Sequence, residues 1–159
     1  MVAPEDFRRV LGHFATGVTI LTTTDSESRP TGLTVSAFCS VSLDPPQVLV
    51  CVDHKSQSYP ALRDGSYFGV NILSADHEHV SRRFATTRLD KFDAVPWKPG
   101  RLGVPLIDGA LAHLECRTVS RHVEGDHTIL VGLVEEARNS GDEPLLYFRG
   151  KYGRLGPPS

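Results

Sequence analysis

Three clusters of polar side chains in this sequence have the types and spacing that ligand chemistry needs. The first is Thr34-Val35-Ser36-Ala37-Phe38-Cys39-Ser40-Val41-Ser42, where small hydroxyls recur along an extended run. Strand alternation puts Thr34, Ser36, Phe38 and Ser40 on one face. Hydroxyls with adjacent backbone amides can bond the rim of a flat heterocycle; Ser and Thr equally suit a plain edge strand. The second cluster is His54-Lys55-Ser56-Gln57-Ser58, between a strand and a short helix. Helix N-terminal amides, two hydroxyls and one ammonium make a phosphate cradle, to which Arg82 and Arg83 can add a bidentate guanidinium. A solvated loop beside a dipole-matched helix end explains the same residues. The third is Gly125-Asp126-His127 at a hairpin tip. A histidine there can meet a ligand through either ring nitrogen, with Asp126 holding its orientation; ordinary turn chemistry is the plainer alternative.

Other motifs carry less. Asp76-His77-Glu78-His79 suggests a metal, but two histidines two apart on a helix face different directions, so a solvated face is the better reading. Trp97 reads as a plug over the core. No Gly-x-Gly-x-x-Gly or P-loop motif follows a strand, so a dinucleotide bound here is not bound in the Rossmann manner. There is no Gly-x-Ser-x-Gly nucleophile elbow.

The elements that must position these groups follow from periodicity and punctuation. Phe7, Val10, Leu11 and Phe14 predict a helix over 4–14. Strands are predicted over 18–24, 33–41 and 47–52, with turn residues at 25–30 and the Asp44-Pro45-Pro46 break between the last two. A short helix over 60–64 stops at Gly65, a strand covers 67–73, and Ser74 caps a helix running to about Ala85. Residues 86–109, rich in Pro and Gly, read as irregular. Long strands over 111–123 and 127–138 form a hairpin, and 144–148 is a last short strand. Strands do not alternate regularly with helices, which favours a mainly β antiparallel barrel with peripheral helices over a parallel doubly wound sheet.

Composition narrows the class. The 159 residues fit one domain over 1–159, with 40% apolar and 23% charged residues. A net charge of −2 offers no field for nucleic acid or acidic lipid. Three widely spaced cysteines, Cys39, Cys51 and Cys116, fit neither a disulfide framework nor a zinc site and favour a reducing compartment. The charged N-terminal stretch lacks the apolar core of a signal peptide, and no run reaches membrane-spanning length, so a cytoplasmic protein without membrane contact is expected.

These pieces occur together and in order in one family. The chain resembles the short-chain flavin reductases that serve two-component monooxygenases. The matching stretches are FATGVTILTT at 14–23, GLTVSAFCSVSLDPPQVLVCVD at 32–53, FGVNIL at 68–73, RRFA at 82–85, GALAHLEC at 109–116, GDHTILVGLV at 125–134 and PLLYFRGKY at 144–152. The resemblance implies an FMN-binding split barrel, antiparallel and Greek-key-like, usually a homodimer. It implies that NADH or NADPH reduces FMN or FAD and that the product diffuses to an oxygenase component. By motif it implies that Thr34, Val35, Ser36, Ser40 and Ser42 border the flavin ring and ribityl chain. Lys55, Ser56 and Ser58 are then near the phosphate, Arg83 and Phe84 beside the flavin tail, and His127 at the nicotinamide nucleotide. Cys39 stands where relatives often carry Thr or Ser. Since the flavin supplies the redox chemistry, these are binding sites, and no side chain is expected to act as nucleophile or proton carrier. A non-enzymatic FMN-binding protein and a self-contained flavin oxidase are the competing functions for the same barrel.

Overall fold

The computed structural model describes residues 1–141 and 143–156. In chain order its elements are α1 (Pro4–Leu11), β1 (Thr16–Gly17), β2 (Thr19–Thr24), β3 (Pro30–Val35), β4 (Phe38–Leu43), β5 (Pro46–Asp53), α2 (Tyr59–Asp64), β6 (Tyr67–Ile72), a 3-10 turn (Ala75–His77), α3 (Glu78–Phe84) and a second 3-10 turn (Lys91–Ala94). There follow β7 (Trp97–Pro99), β8 (Pro105–Ile107), β9 (Ala112–Glu124), β10 (His127–Asn139), β11 (Leu146–Phe148) and β12 (Lys151–Gly153). Seven strands form the main sheet in the order β3-β2-β6-β9-β10-β5-β4, every pairing antiparallel. The expected mainly β antiparallel barrel with peripheral helices is therefore the observed fold.

Alternation along the strands builds the barrel interior. On β5, Val48, Val50 and Val52 are buried while Leu49, Cys51 and Asp53 face out. The inward set meets Leu21, Phe68, Val70, Cys116 and Leu130 in one cluster. Fully burying an aliphatic or Phe side chain contributes about 1.5–3 kcal/mol, so this interior is the main source of stability. A Cβ on Gly132 would stand 2.4 Å from the Phe68 ring, so only glycine lets β10 pass that ring. A second cluster lies outside the barrel, where Val80, Phe84 and Phe92 cover Val18, Ile20 and Leu73. Trp97 packs on its edge, 5.6 Å from Phe92 ring to ring, which is the expected plug.

Several boundaries differ from the sequence expectation, each for a physical reason. The helix over 4–14 ends at Leu11, and Phe7, Val10, Leu11 and Phe14 are exposed rather than packed on the chain's own core. The single strand expected over 33–41 is two strands, because β3 pairs with β2 and β4 with β5 at opposite ends of the sheet. The chain crosses between those edges at Ser36-Ala37. Strand β3 also starts earlier, at Pro30, a position an edge strand tolerates. The helix after Ser74 starts as a 3-10 turn, and Ser74 makes no side-chain cap bond. That tighter turn brings the His77 and His79 rings to 6.0 Å, closer than helical spacing predicts. Residues 86–109 hold the second 3-10 turn and the β7–β8 ribbon. The ribbon is pinned by Asn71, which accepts the Ile107 N–H at 2.8 Å.

Candidate functional site

The split between β3 and β4 makes the site. The Ala37 carbonyl accepts the Cys51 N–H at 3.1 Å and the Ser36 carbonyl accepts the Phe38 N–H at 3.0 Å, so the crossing is held against β5. Outside it opens a cavity of about 740 Å³, whose walls include Phe14, Thr16, Ser36, Cys39, Cys51 and Tyr147. That volume lies within the range of small-molecule sites, and its apolar walls suit a flat aromatic ring. A separate cleft of about 330 Å³ lies further back along β3, between Thr34, Asp53, Lys55, Ser56, Phe84 and Thr86.

Of the expected ring-side residues, Ser36 alone lines the cavity, and it is exposed. Thr34 lines the cleft, but its hydroxyl donates to the Ser81 carbonyl at 2.6 Å and ties β3 to α3. Val35 is buried in the barrel, and its carbonyl accepts the Thr19 hydroxyl at 2.6 Å. Ser40 and Ser42 stand further along β4 and line neither space. Alternation fails to hold Thr34, Ser36, Phe38 and Ser40 on one face because the strand breaks at Ser36-Ala37, and the bulge between Ser40 and Ser42 shifts the register again. Phe38 is half-buried, packing against the barrel interior while also lining the cavity.

At the phosphate end, Lys55 and Ser56 line the cleft, with Asp53 accepting the Lys55 N–H at 2.8 Å to shape the turn. Ser58 is buried, and its hydroxyl is engaged with that of Thr31 at 2.7 Å. Helix α2 has only six residues, and Ser58 does not cap it. Arg83 does not turn to the cleft: Nε donates to the Lys91 carbonyl at 2.7 Å and the guanidinium also reaches Asp90. Arg82 pairs with Glu78 at 2.7 Å and lies over the Tyr152 ring. Phe84 is 1% exposed, belonging to the outer core while forming one cleft wall.

His127 opens β10, directly opposite Asp53 on β5. Asp126 Oδ1 lies 2.7 Å from its Nδ1, the orientation expected from the motif. The same contact holds the Asp126 carboxyl below the usual carboxylate range. His127 lines neither cavity nor cleft, but the turn it belongs to is joined to the cleft, since the Asp126 carbonyl accepts the His54 N–H at 3.0 Å. Sequence reasoning missed what stiffens this junction. The buried Thr128 hydroxyl meets His54 Nε2 at 2.9 Å and the Tyr59 hydroxyl at 3.0 Å. An inward-facing threonine among valines and leucines is a signal that a polar partner is needed. Also missed was the wall of the cavity formed by Phe14 to Thr19 and by Tyr147, residues far apart in the chain.

The chain's likeness to known proteins agrees with this arrangement. A model of the flavin reductase like domain matches residues 11–156. An FMN reductase (NADH), SmoA, of Agrobacterium fabrum is 45% identical over 149 residues, covering 94% of this chain and 84% of the relative. The reductase subunit HsaB of a flavin-dependent monooxygenase of Mycobacterium tuberculosis is 39% identical over 159 residues, covering 98% and 84%. The solved structure of the NADH:FAD oxidoreductase SgcE6 of Streptomyces globisporus C-1027 superposes with a TM-score of 0.92 at 41% identity, covering 100% of this chain and 98% of that one. A match spanning the barrel from the end of α1 to β12, with relatives alike over most of their length, places this chain in the flavin reductase like domain family, as an oxidoreductase.

Proposed function

We propose that this chain reduces free flavin with NADH and releases it to a separate monooxygenase. The observation that carries the reading is the 740 Å³ cavity at the sheet split, apolar-walled, with the Lys55–Ser56 cleft behind it along β3. An isoalloxazine fits the first and a flavin phosphate the second. A bound flavin supplies the hydride-accepting chemistry. The chain's own part is alignment: Ser36 and the strand-crossing backbone meet the ring rim, Lys55 and Ser56 meet the phosphate, and His127 orients the nicotinamide. Well-oriented reactants gain up to about 7–11 kcal/mol over free encounter. NADH is favoured over NADPH because the relatives' names specify NADH.

The exposed apolar face of α1, together with Phe14 on the cavity wall, supports a homodimer in which this face is covered. Three free thiols fit a reducing cytoplasm, and no helix among the described residues is long and apolar enough to cross a membrane. The test is direct: with NADH and catalytic amounts of the chain under nitrogen, the visible absorbance of added FMN or FAD should bleach over many turnovers. Flavin binding without bleaching would leave a carrier in place of an enzyme.

A further inference from the structure

Two thiols that flavin reduction does not use stand on the wall of the ring cavity. Cys39 on β4 is exposed, Cys51 on β5 is half-buried, and both line that space. The register fixes their relation: Cys39 lies opposite Leu49, and Cys51 follows Leu49 on the same outward face. They are therefore diagonal neighbours across one antiparallel pair. Such positions stand roughly 7–8 Å apart between Cα atoms, against roughly 4.4–6.8 Å across an ordinary disulfide, so a bond between them draws β4 in by roughly 1 Å. β4 is placed to make that shift. It ends the sheet, its register already slips between Ser40 and Ser42, and Cys39, Ser40, Val41 and Leu43 are exposed. The third thiol, Cys116, is buried in the barrel interior.

The two thiols differ in access. Cys39 is the open one, its thiol donating to the neighbouring Ser40 carbonyl at 2.9 Å, while burial pushes the Cys51 thiol up. An oxidant entering the cavity meets Cys39 first, and Cys51 is left beside the product. A reductase that releases reduced flavin also has an oxidant at hand. Reduced flavin that no oxygenase takes up gives two electrons and two protons to dioxygen, leaving oxidised flavin and hydrogen peroxide.

We propose that Cys39 and Cys51 form a peroxide-driven disulfide that deforms the ring cavity and stops flavin reduction when reduced flavin goes unused. This rests on the flavin reading proposed above. Peroxide oxidises the Cys39 thiol to a sulfenic acid and leaves as water. The Cys51 sulfur then attacks the Cys39 sulfur and the hydroxyl departs as a second water, so two thiols and one peroxide become one disulfide and two waters. The test treats the whole chain with hydrogen peroxide, removes it, and measures NADH-driven FMN reduction under nitrogen and the thiols titratable in denaturant. The rate should fall severalfold and the thiols from three to one. The peptide carrying both residues should be lighter by two hydrogens, and dithiothreitol should reverse all three changes. Cys39→Ser and Cys51→Ser should each keep their own untreated rate, while Cys116→Ser should lose it as the wild type does. Turnover in air without an oxygenase should bring on the same loss, and catalase should prevent it. Thiols that stay at three, a disulfide that leaves the rate unchanged, or a Cys51→Ser variant inactivated like the wild type overturns this inference and leaves flavin reduction standing. An untreated chain that reduces no flavin removes both.

Discussion

His127 keeps Nε2 available because Asp126 already engages Nδ1 at 2.7 Å. His127→Ala should therefore raise the KM for NADH by about tenfold, the value of one hydrogen bond to a charged or polar ligand group. The dissociation constant for flavin should stay put. An unchanged KM in steady-state assays would remove His127 from the nicotinamide site. The cysteines behave oppositely to one another. Burial pushes the Cys116 thiol up to about 12, so it stays protonated through neutral pH and is inert. Cys39 is exposed on the cavity wall. A disulfide reagent on the native chain should label Cys39 first, block flavin binding, and reach Cys116 only after unfolding; mass spectrometry reads the order. At this scale the sequence was legible where a partner is local, as for Asp126 and His127. It was illegible where the partner is remote. Thr34, Ser58 and Arg83 have the right chemistry for a ligand, but they are held by Ser81, Thr31 and Lys91.

Long strands announce themselves because alternation needs several residues to show. β5, β6, β9 and β10 were all foreseen within a residue or two. β1, β7, β8 and β12 have two or three residues each, too few for a period, and only tertiary pairing defines them, whereas β11 falls inside the short strand expected over 144–148. The junction between the 53–58 turn and the β9–β10 hairpin is an element-level device of the same hidden kind. It is locked by one buried hydroxyl, Thr128, shared by His54 and Tyr59. Thr128→Val keeps the shape and strands both partners, at a cost of about 1–3 kcal/mol. Thermal melting should show that loss, and the KM values for flavin and NADH should rise together, since the two binding turns lose their common anchor. Thr128→Ser should restore both. A change in one KM alone would separate the turns.

For the molecule as a whole, charge gave little and apolar exposure gives more. Phe7, Val10, Leu11 and Phe14 obey helical spacing, which predicted an amphipathic helix, yet their face finds no cover among the described residues. Their exposures run from 49% to 74%. Phe7→Asp should shift the chain from dimer to monomer in analytical ultracentrifugation while leaving its circular dichroism intact; a wild-type monomer at micromolar concentration would refute the assembly. The barrel class was legible because no βα alternation competes with it, whereas the sheet's split was not, since nothing local marks Ser36-Ala37 as a crossing. That crossing limits how this protein can change. A strand's two faces exchange with every single-residue shift, so one insertion or deletion at 36–37 would turn Cys39 inward and Phe38 out, unless the ladder to β5 re-formed elsewhere. Descendants of this chain can retune the cavity through side-chain replacement, but the number of residues between its two edges is not theirs to vary.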